Sequence, residues 1–296
     1  MPTRPKLSMT FYHYTNADTL PLILANRTLR FTRSDLLDDE SEVPFRTAPL
    51  DQRRFFVSSW SRGTHGEAGM WARYGDADRG VRISLQKVRF PWSPLRVDVS
   101  RATGALKKDG SPQMVGLQIR DVRAPYEKET LFGNGYVLLP MGADDEAVFG
   151  SDVLYATNPA AEVQRRVTLT EEGMTFHGDA TYVARVKGTA WADQAEHRFV
   201  ISAIKGPSME HASEPARYSN SLLDLIEAGS ASGFADFSPD VPYIDLPLAN
   251  DAFEGLIVTT GSLMPSPVRD ALERSIKDIV PTAIFEECAL KVRPRH

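Results

Sequence analysis

Cysteine occurs once in the 296 residues, at Cys288, so no internal disulfide can form, and one thiol without spaced Cys or His partners makes no zinc site. No apolar run approaches the ~20 residues that span a bilayer, and MPTRPKLSMT lacks the apolar core of a secretory signal. The expectation is a cytoplasmic protein in a reducing compartment, without a membrane partner. Basic charge is also scarce: 34 Lys and Arg stand against 39 Asp and Glu, giving a net charge of −5, and no basic run exceeds a pair. A basic face that neutralises phosphates, and with it non-specific nucleic-acid binding, is not indicated. There is no G-x-S-x-G elbow, no phosphate loop and no H-E-x-x-H helix, internal repeats are missing, and no metal is expected.

What is there has globular proportions, 42% hydrophobic and 25% charged. MTFYHY at 9–14 reads as an aromatic strand, followed by a short helix capped by Asn16 or Asp18 and ending near Asn26. Further strands are expected at Thr28–Thr32, Phe55–Trp60, Val81–Leu85, Tyr182–Val186 and Phe199–Ala203, with a helix over 66–74 that stops at Gly75. The close is strand, helix, strand: Gly255–Val258, a helix opened by Ser266 as N-cap with Pro267 behind it and striped by Val268, Leu272, Ile276 and Ile279, then Ala283–Phe285. Glycines and prolines break residues 100–150 into short peripheral pieces, and 206–240 reads as a loop holding one helix near Leu222–Ala228. A single domain over 1–296, with insertions near 100–150 and 206–240, accounts for this order.

Several side chains suit chemistry, each beside a plainer structural role. His13, with Tyr14 and Thr15, sits at a strand-to-helix junction, where an imidazole can bond a ribose hydroxyl or settle as a core histidine. Trp71 and Tyr74 are three apart on a helix and share a face; Trp71 suits the core, and Tyr74, at the helix end, suits stacking on a planar ligand. Gln194, Glu196 and Arg198 alternate, so an extended chain puts all three on one face, either as a catalytic carboxylate with its neighbours or as an ion pair. The acidic stretch Asp35, Asp38, Asp39, Glu40, Glu42 lacks the glycine and spacing of a calcium loop and reads as a solvated loop from which one carboxylate reaches the cleft.

Tyr12-His13-Tyr14-Thr15, Asp38-Asp39-Glu40-Ser41-Glu42, Met70-Trp71-Ala72-Arg73-Tyr74 and Trp191 to Arg198 follow one another in an order that resembles a large bacterial family, mostly catalogued as a domain of unknown function. Its pattern is [YH]-Y-T, N-D-P-x-E, M-W-x-x-Y and W-x-x-E-x-E-x-R, and that family is similar to the ADP-ribosyltransferase superfamily in its His-Tyr-Glu branch. Asp38 and Glu40 replace the pattern's Asn and Pro, and Gln194 replaces its first Glu. The resemblance implies an α+β fold of ADP-ribosyltransferase-like split, mostly antiparallel β-sheets, two facing sheets with short peripheral helices. It implies NAD as substrate, with His13 on its ribose, Tyr74 stacked on nicotinamide and Glu196 stabilising the ribosyl cation, Gln194 beside it; Tyr14, Thr15, Trp71 and Arg198 complete the expected binding set. The implied activity is ADP-ribosyl transfer to a protein, DNA or RNA acceptor by a toxin or antiphage defence effector, which brings a neutralising partner with it. A non-catalytic nucleotide- or protein-binding module on the same fold, and an NAD glycohydrolase, are the alternatives.

Overall fold

The structure is a computed structural model that describes residues 10–39, 51–63, 67–140, 146–170, 173–234 and 236–293. The chain opens with β1 (Phe11–Thr15), α1 (Thr19–Asn26), β2 (Thr28–Arg33), β3 (Phe55–Ser61), α2 (Glu67–Tyr74) and β4 (Val81–Leu85). A long hairpin, β5 (Ser93–Leu106) and β6 (Pro112–Ala124), leads to α3 (Lys128–Leu131), β7 (Phe132–Gly133) and β8 (Tyr136–Leu139). Next come α4 (Glu146–Phe149), β9 (Gly150–Asp152), β10 (Leu154–Ala156), α5 (Pro159–Gln164), β11 (Val167–Thr170), β12 (Gly173–Phe176) and β13 (Val186–Gly188). The close is β14 (Glu196–Lys205), α6 (Pro215–Ala231), β15 (Tyr243–Pro247), β16 (Ile257–Thr260), α7 (Ser266–Ile279) and β17 (Ile284–Glu287). The mixture of helices with mostly antiparallel sheets is the α+β arrangement expected.

Among the described residues an 11-stranded sheet runs β17-β16-β4-β1-β3-β14-β8-β7, with β2 and β15 branching from β3 and β9 pairing with β14. All its pairings are antiparallel except β16 with β17, the two strands that α7 connects. These eleven strands make one hydrogen-bonded network that forks at β3, while β5–β6, β10–β13 and β11–β12 pair as separate two-stranded sheets. One edge of β3 pairs with β14 along its whole length, from Ser61↔Glu196 to Phe55↔Ser202. Its other edge meets β1 only at Tyr12↔Ser61 and β2 only at Thr32↔Val57 and Arg33↔Phe56. Between these contacts β1 and β2 part, and on this edge Ser58–Trp60 face the gap without a strand partner.

Local chemistry explains the elements around the gap. The first helix takes its cap from Asn16, whose side-chain oxygen accepts from the Thr19 N–H at 2.7 Å, and it stops at Arg27 in a left-handed conformation. Leu20 and Leu24 anchor it in the core. Strand β14 is buried over its first eight positions, EHRFVISA, as a central strand covered on both faces must be. Glu196, His197 and Arg198 are accommodated there because each has a polar partner, as described below.

Several expectations need correction. Residues 100–150 are less fragmented than their glycines suggest: β5 and β6 run for 14 and 13 residues, anchored by Leu95, Val97 and Ile119, while Leu106 and Met114 near the tip are exposed. The 206–240 segment holds the one helix expected, but α6 is longer, Pro215–Ala231 with 17 residues, and buries Tyr218, Leu222, Leu223 and Ile226. The Tyr218 hydroxyl donates to the Gly133 and Tyr136 carbonyls at 2.9 and 3.0 Å, fastening α6 to the β7–β8 turn. Residues 180–185 form a 3-10 helix started by the Asp179 carboxylate, which accepts from the Thr181 N–H, and only Val186–Gly188 is strand. Helix α7 begins one residue early, with Pro265 at the cap and no side-chain cap; Leu272 and Ile276 are buried, but Val268 and Ile279 face outward, so its apolar stripe is narrower than the spacing implied. Among the described residues no helix is long and apolar enough to cross a membrane.

Candidate active site

The fork of the sheet encloses a cavity of about 600 Å³, in the size range of small-molecule and cofactor sites. Its floor is Val57–Ser61 of β3, its sides are Tyr12–Thr15 of β1 and several residues of β2, and Leu22, Ile23 and Asn26 of α1 reach over it. His13, Tyr74, Gln194 and Glu196, drawn from across more than half of the chain, all line it. Leu36, Leu37 and Asp38 contribute a further wall, so one carboxylate of the acidic stretch does reach the cavity, whereas Asp35 is held by Arg33 at 2.6 Å. Glu40 and Glu42 lie outside the described residues.

Glu196 begins β14 and is only 6% exposed. Arg198, two residues on and on the same strand face, donates to Oε1 from Nε at 2.7 Å and to Oε2 from Nη2 at 3.2 Å. Lys187 on β13 donates to Oε2 at 3.2 Å. Burial alone would push this carboxyl up; the charges of Arg198 and Lys187, with hydrogen bonds from Arg198 and Ser59, outweigh it and hold the group down to about 2. Glu196 is therefore ionised throughout the physiological range. Arg198 is 1% exposed and also donates from Nη1 to the Ala184 carbonyl at 2.8 Å, so it backs Glu196 from behind.

Gln194 reaches the same face by a different route from simple alternation. It ends the 3-10 helix Thr189–Gln194, and Ala195 then takes a left-handed conformation, φ 42°, before the strand starts. Such a non-glycine residue costs roughly 1–2 kcal/mol, offset here by the turned backbone: the Ala195 carbonyl accepts from the Arg62 N–H at 2.9 Å and the Gln194 carbonyl from the Ser61 hydroxyl at 2.7 Å. His197 points to the other face, with Nδ1 2.7 Å from Asp152 and its ring edge-on to Phe11.

His13 lies against Trp60, with ring centroids 5.0 Å apart, and its Nδ1 is 3.1 Å from the Ser59 carbonyl on the unpaired edge of β3. A carbonyl only accepts, so Nδ1 carries the proton and, in the neutral ring, Nε2 is left as an acceptor suited to a hydroxyl such as that of ribose. Burial lowers the pKa of the imidazole from 6.5, partly opposed by the Ser59 hydrogen bond. The unfolded chain then takes up the proton first, so His13 makes stability fall as pH drops below 6.5, until the folded imidazole titrates as well. His13→Asn keeps a donor for Ser59 and does not titrate. Urea-unfolding free energies between about pH 5 and 7.5 should therefore slope less in this variant than in wild type. Parallel curves would show that His13 is not held neutral.

Tyr74 closes α2, and its hydroxyl accepts from Gln194 Nε2 at 3.1 Å. A tight turn fixes it: Asp76, Ala77 and Asp78 are all left-handed, and a Cβ on Gly80 would stand 2.4 Å from the Thr15 carbonyl, so only glycine lets the turn approach the end of β1. Thr15 and Tyr14 contribute to the lining, though the Tyr14 ring packs edge-on against Trp71 at 5.1 Å. Trp71 is corrected from binding residue to core: it is 0% exposed, lies outside the cavity lining, and its indole fills the space between α2 and β1. Sequence reasoning missed Lys187, Ser59 and Tyr155. Lys187, together with Arg185, interrupts the run of Val183, Ala184 and Val186, a usable signal; the Tyr155 hydroxyl, which accepts from the Glu196 N–H at 2.8 Å, left none. Among the described residues no group of three or more His, Cys, Asp or Glu is placed to hold a metal.

Comparison with protein-family models, curated proteins and solved structures gave no match.

Proposed function

We propose that the protein is an NAD-dependent ADP-ribosyltransferase with an ADP-ribosyltransferase-like split sheet. What carries the reading is the convergence of His13, Tyr74, Gln194 and an ionised Glu196 on one cavity of about 600 Å³. In the proposed reaction His13 Nε2 accepts from a ribose hydroxyl and Tyr74 stacks on nicotinamide. The C1′–N bond breaks with its electron pair leaving on nicotinamide, the Glu196 carboxylate faces the oxocarbenium-like ribose, and an acceptor nucleophile bonds to C1′ as its proton passes to solvent. The acceptor is a protein, DNA or RNA, and the biological role is that of a toxin or antiphage defence effector checked by a neutralising partner.

One observation favours a second reading, a nucleotide- or protein-binding module without turnover: both Glu196 oxygens are already engaged by Arg198 and Lys187. An NAD glycohydrolase uses the same site with water as acceptor. Incubation with labelled NAD and cell lysate separates all three. Label on protein or nucleic acid supports transfer, free ADP-ribose supports hydrolysis, and saturable NAD binding with neither product supports the binding module.

A further inference from the structure

Three donors and acceptors form a line along the cavity wall. Lys187 Nζ lies 2.9 Å from Gln194 Oε1, and Gln194 Nε2 lies 3.1 Å from the Tyr74 oxygen. Lys187 and Gln194 are buried, at 5% and 2% exposure, and Lys187 is held in place by Glu196 Oε2 at 3.2 Å and by the Trp191 ring, 4.8 Å from centroid to Nζ. Each direction in this line follows from the chemistry of its head. An ammonium only donates, so the amide oxygen of Gln194 must face it, which turns the NH₂ to Tyr74. An amide NH₂ also only donates, so the phenol oxygen accepts. Among the described residues the Tyr74 proton has no acceptor of its own, and the residue lines the cavity.

We propose that Lys187 is a positioning residue which, through Gln194, makes the Tyr74 hydroxyl a hydrogen-bond donor to an acceptor oxygen of the ligand in the cavity. Tyr74 then offers an edge as well as a stacking face, and the site selects a ligand that places a carbonyl-type oxygen at that point. With His13 Nε2 accepting and Tyr74 donating, the two ends of the site have opposite hydrogen-bond polarity. The inference rests on the NAD reading only for the choice of NAD as probe.

Substitution at the middle of the line reverses it. Gln194→Glu keeps size and its bond to Lys187, yet its carboxylate accepts from Tyr74 and draws the phenolic proton away from the cavity. Lys187→Met frees the amide to flip. The state of Tyr74 can be read without ligand by placing 3-fluorotyrosine at position 74 and following its ionisation by fluorine NMR. The groups that act on this phenol are Lys187, Asp38, Gln194 and Glu196, with burial raising its pKa most and Lys187 opposing that rise. Both variants should raise the fluorotyrosine pKa, Gln194→Glu by roughly one unit or more. If neither does, the relay is overturned.

Calorimetry with NAD tests the donor itself. Tyr74→Phe, Gln194→Glu and Lys187→Met should each weaken binding by roughly 3- to 10-fold, and Lys187→Met combined with Tyr74→Phe should lose no more than Tyr74→Phe alone, because both remove one hydrogen bond. Wild-type affinity in Tyr74→Phe overturns the donor role. Should wild type not bind NAD at all, the NAD reading fails, while the fluorine titration still decides the relay. Gln194→Glu retains the buried cation, so it reports even where Lys187→Met does not fold.

Discussion

Glu196→Gln is expected to slow NAD turnover by roughly 10²–10³ and to leave NAD affinity nearly unchanged, since a preorganised charge facing a developing cation acts in the transition state more than in the ground state. The same substitution also strikes stability. Glu196 neutralises two buried cations, Arg198 at 2.7 Å and Lys187 at 3.2 Å, and removing one member of a buried pair typically costs about 3–5 kcal/mol. The two losses separate by experiment: denaturant unfolding gives the stability change, and rates scaled to the folded, NAD-binding fraction give the chemical one. Full wild-type turnover in the folded fraction would mean that the carboxylate is only the centre of an ion-pair cluster. The pH dependence supplies an independent check. The folded carboxyl titrates near 2 against an ordinary value of 4.5, so its contribution is complete above 4.5 and is lost as pH falls toward 2. Glu196→Gln should lack that acid limb.

How much of this site can be read from sequence depends on the distance over which the determining contacts act. Strands β1, β3, β4 and β14 announce themselves by local apolar and alternating patterns, and the pairing of Glu196 with Arg198 follows from a period of two within one strand. Gln194 keeps company with them for a reason that no periodicity contains, the left-handed turn at Ala195. The fork is invisible for a similar reason: it arises because β1 and β2 each share only the ends of β3, a property of long-range register. Lys187 is likewise set beside Glu196 by the placing of β13, which pairs in parallel with β10 in a small separate sheet. Helix α6 runs past the expected Leu222–Ala228 because tertiary burial of Tyr218 and Leu222 overrides the weak local preferences of Gly229, Ser230 and the flanking prolines.

Trp71→Ala should be the most destabilising single change in α2, by about 3–5 kcal/mol, and should weaken ligand binding only by releasing Tyr74. Trp71 is among the largest fully buried side chains, its ring meets Tyr14 at 5.1 Å, and its Nε1 is 3.4 Å from Glu67 Oε1, a weak bond that leaves packing as its main role. The helix end is built on it: the Trp71 carbonyl accepts from the Gly75 N–H at 3.0 Å, and a Cβ on Gly75 would come within 2.5 Å of the indole. Emptying that space leaves the turn after Tyr74 without support. A volume-reducing but apolar replacement distinguishes support from contact. Trp71→Phe should lower the urea midpoint yet bind NAD within about twofold of wild type, because Tyr74 stays in register and no indole touches the cavity. If Trp71→Phe instead keeps its midpoint and loses NAD affinity, the indole belongs to the ligand site after all, and the cavity must extend behind Tyr14.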